Sequence, residues 1–290
     1  MLETPAPNAL QCKWRGVPLL LHIPFFSAMD LHLQNKLALV TGSTKGIGHA
    51  IAVALAAEGA RVIVNGRTEA SVADAIARLR TEVPDAQVEG FAGDLSNPIQ
   101  ADALLGRFPK VDILVNNLGI FDPKPFEEID DAEWLRFFNV NVMSGVRLSR
   151  AYLPGMRAQD WGRIVFISSE SGVQIPAEMI HYGVTKTALL GLSRGLAEIC
   201  AGTNVTVNAV LPGPTRSEGV DEFVDKLSGG QSFEAFEKTF FQTARPTSLI
   251  KRFASTQEVA NLVAYVASPL SSATTGAALR VDGGVVKSAF

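Results

Sequence analysis

The sequence predicts an α/β fold, with one doubly wound parallel β-sheet of about seven strands and helices on both faces. Short runs rich in β-branched residues alternate with segments of helical period from Lys36 to the C-terminus. Most of these runs are apolar almost throughout, which is typical of parallel strands that helices cover on both sides. Such a regular alternation indicates right-handed βαβ units that share a single sheet.

The strands and helices can be placed individually. The strand pattern occurs in Leu37–Thr41, Arg61–Asn65, Val88–Ala92, Val111–Asn116, Arg163–Ser168, Val205–Leu211 and Ala277–Val281. Helical period occurs in Ile47–Glu58, Ser71–Leu79, Asp131–Met156, Tyr182–Cys200 and Gln257–Ala267. Ser255 and Glu258 form a capping-box pattern at the start of the last of these helices. We find neither an internal repeat nor an interdomain linker, and therefore expect one domain over residues 29–290.

Composition narrows the classes of function. The formal net charge of −3 over 290 residues argues against a nucleic acid or an anionic membrane as a partner, because both need a basic face. Cys12 and Cys200 are isolated, so we expect neither a metal site nor a disulfide framework. No apolar run reaches the roughly 18 residues that a membrane-spanning helix needs.

Residues 1–28 differ in character from the rest of the chain. A basic region that includes Lys13 precedes the apolar stretch Val17–Phe26, which is the order found in a secretory signal peptide. His22 and Pro24 interrupt that stretch, however, and no small-residue cleavage site follows it. The pattern favours an extension that is disordered or not native over an export signal. We therefore expect the domain to begin at residue 29, in a cytoplasmic protein.

Residues 213–251 break the regular alternation. The segment is longer than a connection between a strand and a helix needs, and it holds Gly229-Gly230 between two helical patterns, Val220–Leu227 and Phe233–Phe241. Long segments at the carboxyl end of such a sheet often cover a substrate. The sequence leaves two interpretations open, a substrate lid and a simple surface excursion.

A glycine-rich turn follows the first strand, with the sequence Thr41-Gly42-Ser43-Thr44-Lys45-Gly46-Ile47-Gly48. Glycines at such a turn let the backbone approach a pyrophosphate, and the following helix offers free N–H groups and the positive end of its dipole. The spacing is Gly-x-x-x-Gly-x-Gly rather than the Gly-x-Gly-x-x-Gly fingerprint. Because the turn lies between the first strand and the first helix, it predicts that residues 42–48 bind a dinucleotide.

The end of the second strand bears on which dinucleotide binds. A free ribose 2′-hydroxyl usually meets a carboxylate there, and a 2′-phosphate meets an arginine. Neither Asp nor Glu occurs in Asn65–Arg67, whereas Arg67 and Lys45 are both placed to reach a phosphate. The planar guanidinium of arginine suits phosphate, and the lysine adds a second positive charge. The sequence therefore predicts NADP, with NAD as the alternative.

Polar residues and glycine also follow the next two strands. Asp94 and Leu95 come after the third strand, and Asn117 and Gly119 come after the fourth. Because ligands bind at the carboxyl ends of the strands in such sheets, we expect these four residues to adjoin the cofactor. Asp94 is placed to accept a hydrogen bond from the adenine amino group, and capping the next helix is its alternative role.

Three residues have the chemistry of a carbonyl acid–base site. Tyr182 and Lys186 are four positions apart, so they share one face of the predicted helix. A tyrosine with its ordinary pKa of about 10 is a poor acid–base group at neutral pH, and a neighbouring ammonium lowers that pKa. Ser169 lies thirteen positions before Tyr182, at the end of a strand, and can hold a substrate oxygen by a hydrogen bond.

With these motifs the chain resembles the short-chain dehydrogenase/reductase family over about Leu31 to Lys287. The matching motifs are Thr41-Gly42-x-x-x-Gly46-x-Gly48, Asn116-Asn117-x-Gly119, Ser169, Tyr182-x-x-x-Lys186, Pro212-Gly213 and Arg280-Val281-Asp282-Gly283-Gly284. Asn141 matches the family asparagine that helps hold a proton-relay water, and Trp134 upstream favours it over Asn139. Leu118 departs from the usual alanine, and we expect it to reshape the wall of the pocket slightly.

The resemblance implies a role for each matching residue. Tyr182 is the general acid in reduction and the base in oxidation, while Lys186 lowers its pKa and binds the nicotinamide ribose. Ser169 orients the carbonyl, and Asn141 supports a water that links Lys186 to solvent. The residues implied beside the nicotinamide are Pro212, Gly213 and Thr215.

The resemblance is strongest to the 3-oxoacyl-[acyl-carrier-protein] reductase branch, which implies interconversion of a ketone and a secondary alcohol. An acyl-thioester carrier would then be a partner and would need a basic patch, for which the candidates are Lys226, Lys238, Arg245, Lys251 and Arg252. The alternatives are a sugar, steroid or small-alcohol dehydrogenase, a non-catalytic dinucleotide-binding sensor, and a structural subunit of a mixed oligomer. The family and the apolar segment Gly283–Phe290 favour a homodimer or homotetramer.

Overall fold

The computed structural model describes residues 30–220 and 232–289. The predicted extension, residues 1–28, lies outside the described residues. So does part of the predicted lid, including most of the Val220–Leu227 pattern and Gly229-Gly230. The elements below all belong to the unit Leu31–Phe290.

Parallel strands form the main sheet, as the sequence predicts. The strands are β1 (Leu37–Val40), β2 (Arg61–Gly66), β3 (Val88–Ala92), β4 (Ile113–Asn116), β5 (Gly162–Ile167), β6 (Val205–Pro212), β7 (Thr215–Arg216), β8 (Ala254–Ser255) and β9 (Ala278–Val281). Seven of them make one sheet in the order β3-β2-β1-β4-β5-β6-β9. The remaining two, β7 and β8, pair with each other at the base of the 213–251 segment.

Helices connect these strands. They are α1 (Gly46–Ala57), α2 (Glu69–Glu82), α3 (Pro98–Arg107), α4 (Asp131–Phe138), α5 (Ser144–Ala158), α6 (Ile180–Ile199), α7 (Phe233–Thr243) and α8 (Thr256–Val266). The capping box predicted before α8 is formed, since Ser255 and Glu258 exchange side-chain hydrogen bonds to each other's backbone N–H. None of the helices in the described ranges is long and apolar enough to cross a membrane.

The helices cover both faces of the sheet because successive side chains of a strand point to opposite faces. In β1, Ala38 and Val40 join a buried cluster that includes residues of α1, α2 and α8. Leu39, between them, joins a second cluster with residues of α3, α5 and α6. All three side chains are fully buried. Burial on both faces explains why this strand is apolar throughout.

The predicted helical segment Asp131–Met156 is helical throughout, but it is not one regular α-helix. A π-helical segment of five residues, Asn139–Met143, separates α4 from α5. A π-helical turn absorbs an extra residue and often marks a functional site. The apolar periodicity does not reveal the break, because the backbone stays helical on both sides of it.

The strand order creates a crevice at the carboxyl ends of β1 and β4. After β1 the chain adds β2 and β3 on one side of it, and then returns to add β4 on the other side. The connections after β1 and β4 therefore diverge, which is the arrangement at which open α/β sheets bind their ligands.

Candidate active site

The glycine turn between β1 and α1 has the close backbone packing that its sequence predicts. Gly42 and Gly46 adopt left-handed conformations, with φ of +59° and +61°, that favour glycine. A Cβ on Gly48 would lie 2.4 Å from the carbonyl oxygen of Gly42 and 2.5 Å from Nδ2 of Asn117. Ile47 packs its side chain against the core. The turn thus presents backbone groups, rather than side chains, to the crevice.

Two side chains of the turn have structural contacts. The Ser43 hydroxyl is buried, donates to the carbonyl of Val40 at 2.7 Å and accepts from the N–H of Asn65 at 2.9 Å. The Thr44 methyl packs against Gly66, where a Cβ would lie only 2.3 Å from it. Ser43 therefore holds the turn together, and its backbone is the part left to face a ligand.

Asn65 is a structural link that the sequence reasoning missed. Its side chain is buried, Oδ1 accepts from the N–H of Gly42 at 3.1 Å, and Nδ2 donates to the carbonyls of Phe91 and Gly93 at 3.2 and 3.1 Å. Asn65 therefore joins β2, the glycine turn and the end of β3. A carboxylate could not donate these bonds, so the turn itself excludes one at this position. A polar residue at the end of an apolar strand was the available signal.

A negatively charged side chain, that of Glu218, is hydrogen-bonded to the N-terminus of α1. Oε2 of Glu218 accepts from the N–H of Gly46 at 2.9 Å, and Oε1 lies 3.5 Å from a guanidinium nitrogen of Arg78. Arg78 also donates to the carbonyl of Thr44. A carboxylate therefore lies at the helix end where the sequence predicts the pyrophosphate. The donors here therefore fit an anionic dinucleotide.

The two predicted phosphate-binding cations lie at the rim of this crevice. Arg67 directly follows β2, Lys45 directly precedes α1, and both side chains are exposed. Because Thr44 contacts Gly66, their neighbours Lys45 and Arg67 belong to the same part of the surface.

Asp94, at the end of β3, shapes its own loop. Its Oδ1 accepts from the N–H and the hydroxyl of Ser96 at 2.9 and 2.7 Å. Asn97 caps α3 by accepting from the N–H of Ile99, so the alternative capping role of Asp94 is wrong. The Leu95 side chain is fully buried in the core, which leaves only its backbone for a cofactor contact.

Asn117 and Gly119 follow β4 on the other side of the crevice. Nδ2 of Asn117 donates to the carbonyls of Thr41 and Gly42 at 2.9 and 3.1 Å. A Cβ on Gly119 would lie 3.3 Å from Nζ of Lys186. This short stretch therefore connects the glycine turn with the predicted catalytic lysine.

Ser169, Tyr182 and Lys186 come together at this edge of the sheet. Nζ of Lys186 lies 5.5 Å from the centroid of the Tyr182 ring. The Ser169 side chain acts on Tyr182 by lowering the pKa of its phenol. The Lys186 ammonium donates to the carbonyl of Ile167, at the end of β5, at 2.9 Å. Ser169 and Lys186 are both buried. The arrangement can therefore exchange a proton with an oxygen bound beside the phenol.

The protonation state of this site differs from the sequence expectation. Burial raises the pKa of Tyr182 above its ordinary value, and the Glu170 carboxylate acts in the same direction. The hydrogen bond with Ser169 and the Arg245 guanidinium lower that pKa without outweighing burial. Burial also lowers the pKa of Lys186 to about 8. Lys186 is not among the groups that lower the pKa of Tyr182, and its ammonium donates to a backbone carbonyl.

The side chains of Asn141 and Asn139 contact different parts of the protein. Oδ1 of Asn141 accepts from the N–H of Ile120 at 2.8 Å, and Nδ2 donates to the carbonyl of Ile120 and the hydroxyl of Thr185. Nδ2 of Asn139 instead donates to the carbonyl of Ser96. Both lie in the π-helical segment, and only Asn141 reaches the helix that carries Tyr182.

The end of β6 completes the same edge. Pro212 is paired with β9 in the sheet. A Cβ on Gly213 would lie 2.6 Å from the carbonyl oxygen of Asp282, and the Thr215 hydroxyl donates to the carbonyl of Gly213 at 2.9 Å. The first residues of the 213–251 segment are therefore attached to the sheet.

Of the residues expected in a basic patch for an acyl carrier, Lys238, Lys251 and Arg252 are exposed, whereas Arg245 is not available at the surface. Arg245 is buried, with 7% of its surface exposed, and its Nε donates to Oε1 of Glu170 at 2.9 Å. Arg252 is paired with the carboxylate of Glu258. Lys226 lies outside the described residues. Burial and ion pairing, neither of which the spacing of basic residues reveals, remove Arg245 from any surface patch.

Fold and site together define a dinucleotide-binding α/β protein with an acid–base group beside the binding crevice. A family model described as enoyl-(acyl carrier protein) reductase matches residues 42–286. The chain is 50% identical over 264 residues to the uncharacterized oxidoreductase YvaG of Bacillus subtilis (strain 168), covering 90% of this chain and 100% of that protein. It is 33% identical over 259 residues to the 3-oxoacyl-[acyl-carrier-protein] reductase FabG of Escherichia coli (strain K12), covering 88% and 99%.

A solved structure has the same fold. The L-sorbose reductase from Gluconobacter frateurii, complexed with NADPH and L-sorbose, matches with a TM-score of 0.84 and 32% identity over 90% of this chain and 100% of that chain. The chain therefore belongs to the short-chain dehydrogenase/reductase family of oxidoreductases, as its motifs predict, and has that family's Rossmann-type fold.

Proposed function

We propose that the protein is an NADP-dependent oxidoreductase that interconverts a ketone and a secondary alcohol by hydride transfer, with Tyr182 as general acid and base. One observation carries the proposal: Ser169, Tyr182 and Lys186 converge at the sheet edge that the glycine turn also reaches. A relative named as a ketoacyl reductase and a similar structure solved with NADPH support it.

The residues of the crevice fit a dinucleotide. The backbone of residues 42–48 and the N-terminus of α1 would hold the pyrophosphate where the Glu218 carboxylate now lies. Asp94 would accept from the adenine amino group. The residues that would adjoin the nicotinamide end are Asn117, Gly119, Pro212, Gly213 and Thr215. When bound, the cofactor supplies or takes up the hydride, and the protein contributes binding, orientation and proton transfer.

The chain's own residues move the proton. In reduction, the phenol of Tyr182 donates its proton to the carbonyl oxygen, which Ser169 holds in place. Burial keeps Tyr182 protonated, the form that reduction needs. Lys186, whose ammonium lies 5.5 Å from the centroid of the Tyr182 ring, would bind the ribose hydroxyls of the nicotinamide half. Asn141 supports a water that links Lys186 to solvent, through which the proton is replaced.

We infer NADP rather than NAD from the end of β2. Position 65 holds an asparagine whose amide donates two hydrogen bonds that a carboxylate could not make. Arg67 and Lys45 provide two cations at the rim of the crevice. Catalytic efficiency is expected to be higher with NADPH than with NADH, and Arg67→Ala should lower it for NADPH alone. A clear preference of the wild-type chain for NADH would overturn the inference.

A 3-oxoacyl thioester is the substrate class that we infer first, with an acyl-thioester carrier as partner. The similarity to the L-sorbose reductase supports a sugar as the second candidate, and steroids and small secondary alcohols require the same chemistry. Oxidation of NADPH should be measured against β-ketoacyl thioesters, quinones, ketosteroids and sugars. Turnover of thioesters supports the first class, and turnover of sugars alone would select the second.

A non-catalytic sensor is the alternative from another class, and a structural subunit is a third. Neither needs a proton donor, so Ser169, Tyr182 and Lys186 argue against both. Binding of NADPH without turnover of any ketone in the panel would favour the sensor. We also infer a homodimer or homotetramer, which sedimentation of the purified chain tests directly.

A further inference from the structure

A carboxylate from a distant part of the chain caps the first helix. Oε2 of Glu218 accepts from the N–H of Gly46, the first residue of α1, at 2.9 Å, although the two residues are 172 positions apart. Lys45, which directly precedes the helix, makes no side-chain hydrogen bond that caps it. The first N–H groups of a helix have no partner within the helix, and a negative charge beside them is favourable. Glu218 therefore supplies a cap that α1 lacks locally.

The backbone that carries Glu218 lies close to α1. Glu218 comes two positions after β7, which pairs with β8. A Cβ on Gly46 would lie 3.5 Å from Cβ of Ser217 and 4.0 Å from Oε2 of Glu218. The start of the 213–251 segment thus lies against the N-terminus of α1, where the sequence predicts the pyrophosphate.

The Glu218 carboxylate is charged but weakly held. Burial by itself would raise the pKa of Glu218, but hydrogen bonds from backbone N–H groups and the Arg78 guanidinium bring that pKa below its ordinary value. The side chains of Arg78 and Glu218 are about half exposed, at 48% and 50%, and their nearest charged atoms are 3.5 Å apart. An exposed ion pair of this kind contributes little to stability, because water screens it. A ligand with more charge and more contacts can therefore displace this carboxylate.

We propose that Glu218 competes with the pyrophosphate of the dinucleotide for the N-terminus of α1. A carboxylate and a phosphate both carry negative charge and would accept from the same N–H group, so the two exclude each other there. Binding of the dinucleotide then displaces the Glu218 side chain, while Arg78 keeps its hydrogen bond to the carbonyl of Thr44. The inference rests on the proposed function, because it requires a dinucleotide to bind at residues 42–48.

The competition lowers the affinity for the cofactor. The dinucleotide binds only those molecules in which Glu218 has left the helix end, so the apparent affinity is reduced in proportion to their fraction. A negative charge at an exposed helix N-terminus shifts such an equilibrium by a factor of roughly two to five. Removing the charge of Glu218 should therefore increase the affinity by the same factor.

Fluorescence titration with NADPH tests the competition directly. Glu218→Gln and Glu218→Ala should each bind NADPH about two- to fivefold more tightly than wild type. Glu82→Gln is the matched control, because Glu82 lines the same surface cavity as Glu218 but its carboxylate contacts His49 instead of the end of α1. The control should leave the Kd nearly unchanged. Unchanged or weaker binding in both Glu218 variants, or an equal gain in Glu82→Gln, would overturn the proposal.

NADH locates the effect within the cofactor. NADH carries the same pyrophosphate as NADPH and lacks the 2′-phosphate, so Glu218→Gln should increase the affinity for both cofactors by the same factor. A gain confined to NADPH would assign the effect to the 2′-phosphate and would overturn competition at α1.

Heat denaturation provides a second readout that needs no turnover. Before NADPH is added, Glu218→Ala should melt at a lower temperature than wild type, because α1 loses its charged cap. At saturating NADPH the difference should disappear, since the cofactor then occupies the helix end in both proteins. A difference that persists at saturation would show that Glu218 stays at α1 beside the bound dinucleotide, and would overturn the proposal.

Failure of the competition can be told apart from failure of the proposed function. A wild-type chain that binds neither NADPH nor NADH would contradict both. Tight binding of NADPH with the same Kd in wild type and in the two Glu218 variants would overturn the competition alone and leave the proposed function standing.

Discussion

Burial has the largest effect on the pKa values of Tyr182 and Lys186. Burial raises the pKa of Tyr182 and lowers the pKa of Lys186 to about 8, so each shift favours the neutral form. For Tyr182 this form is the acid that carbonyl reduction needs. Lys186, with a pKa of about 8, is still mostly protonated at pH 7, but its pKa lies only about one unit above that pH.

Substitution Tyr182→Phe should keep dinucleotide binding and remove nearly all turnover. Phenylalanine preserves the ring and its edge contact with Phe121, but it has no proton to transfer. Loss of a general acid lowers rates by about 10²- to 10⁴-fold. Cofactor fluorescence and steady-state rates measure the two effects, and near-normal turnover in the variant would refute the assignment of Tyr182.

His181, next to Tyr182, is expected to affect the stability of the fold and to take no part in catalysis. It has no exposed surface, and neither ring nitrogen has a hydrogen-bond partner among the described residues. Its ring packs on Phe137 with the centroids 4.0 Å apart. Burial therefore lowers the pKa of His181 below its ordinary value.

This lowered pKa predicts acid sensitivity. At a pH above the pKa of about 6.5 in the unfolded chain, His181 is neutral in both the folded and the unfolded state, so its titration does not affect stability. At a lower pH the unfolded chain binds a proton at His181 more readily than the folded chain does, which favours unfolding. Stability should therefore fall as pH decreases below 6.5. The melting temperature of His181→Leu relative to wild type should rise steadily from pH 7 to pH 5. A difference that is the same at every pH would show that His181 does not titrate differently on folding.

Contacts between elements, more than local propensity, shape the two irregular backbone features of the site. The glycine turn is held by Asn65 and Asn117, which come from β2 and the end of β4. The π-helical segment places Asn141 against Ile120 and Thr185. Both features therefore take part in hydrogen bonds between residues that are distant in the sequence.

The glycine turn should tolerate no side chain at Gly48. In Gly48→Ala the new methyl would meet the carbonyl of Gly42 and the amide of Asn117, which forces the turn to open. We expect a lower melting temperature and at least about tenfold weaker NADPH binding, because the backbone donors are displaced. Gly106→Ala in α3 is the control, since nothing lies within 4 Å of its added Cβ. It should stabilise by up to about 1 kcal/mol. Equal behaviour of the two variants would contradict the close packing around Gly48.

At the scale of the whole molecule, the sheet order brings the two halves of the site together. The residues of the glycine turn and those of the acid–base group are more than a hundred positions apart in the sequence. They become neighbours because β1 and β4 lie side by side in the sheet. Gly119, after β4, adjoins both the turn's partner Asn117 and the ammonium of Lys186.

A chain that begins at Met29 should fold and work as the full chain does. Every described site residue lies within the unit Leu31–Phe290, and the YvaG match covers that relative's whole length with 90% of this chain. The shortened protein should keep the melting temperature, the Kd for NADPH and the turnover rate of the full chain. A loss in any of these would assign residues 1–28 a part in the fold or the site.

Apolar periodicity and turn-forming residues were enough to predict most of the architecture. The apolar strands, the capping box of Ser255 and the glycine turn are local patterns, and their positions in the structure agree with the prediction. The break in Asp131–Met156, the buried role of Asn65 and the ion pair of Arg245 could not be read in that way. Each depends on a partner that is distant in the sequence, so no local pattern contains it.

The sequence by itself determined the fold class, the family and the identities of the residues suited to proton transfer, because apolar period and motif spacing are local properties. Only the tertiary structure decided the electrostatic state of that site. Tyr182 is more basic than expected, and Arg245 is buried beside Glu170, because burial and ion pairing depend on how distant segments pack.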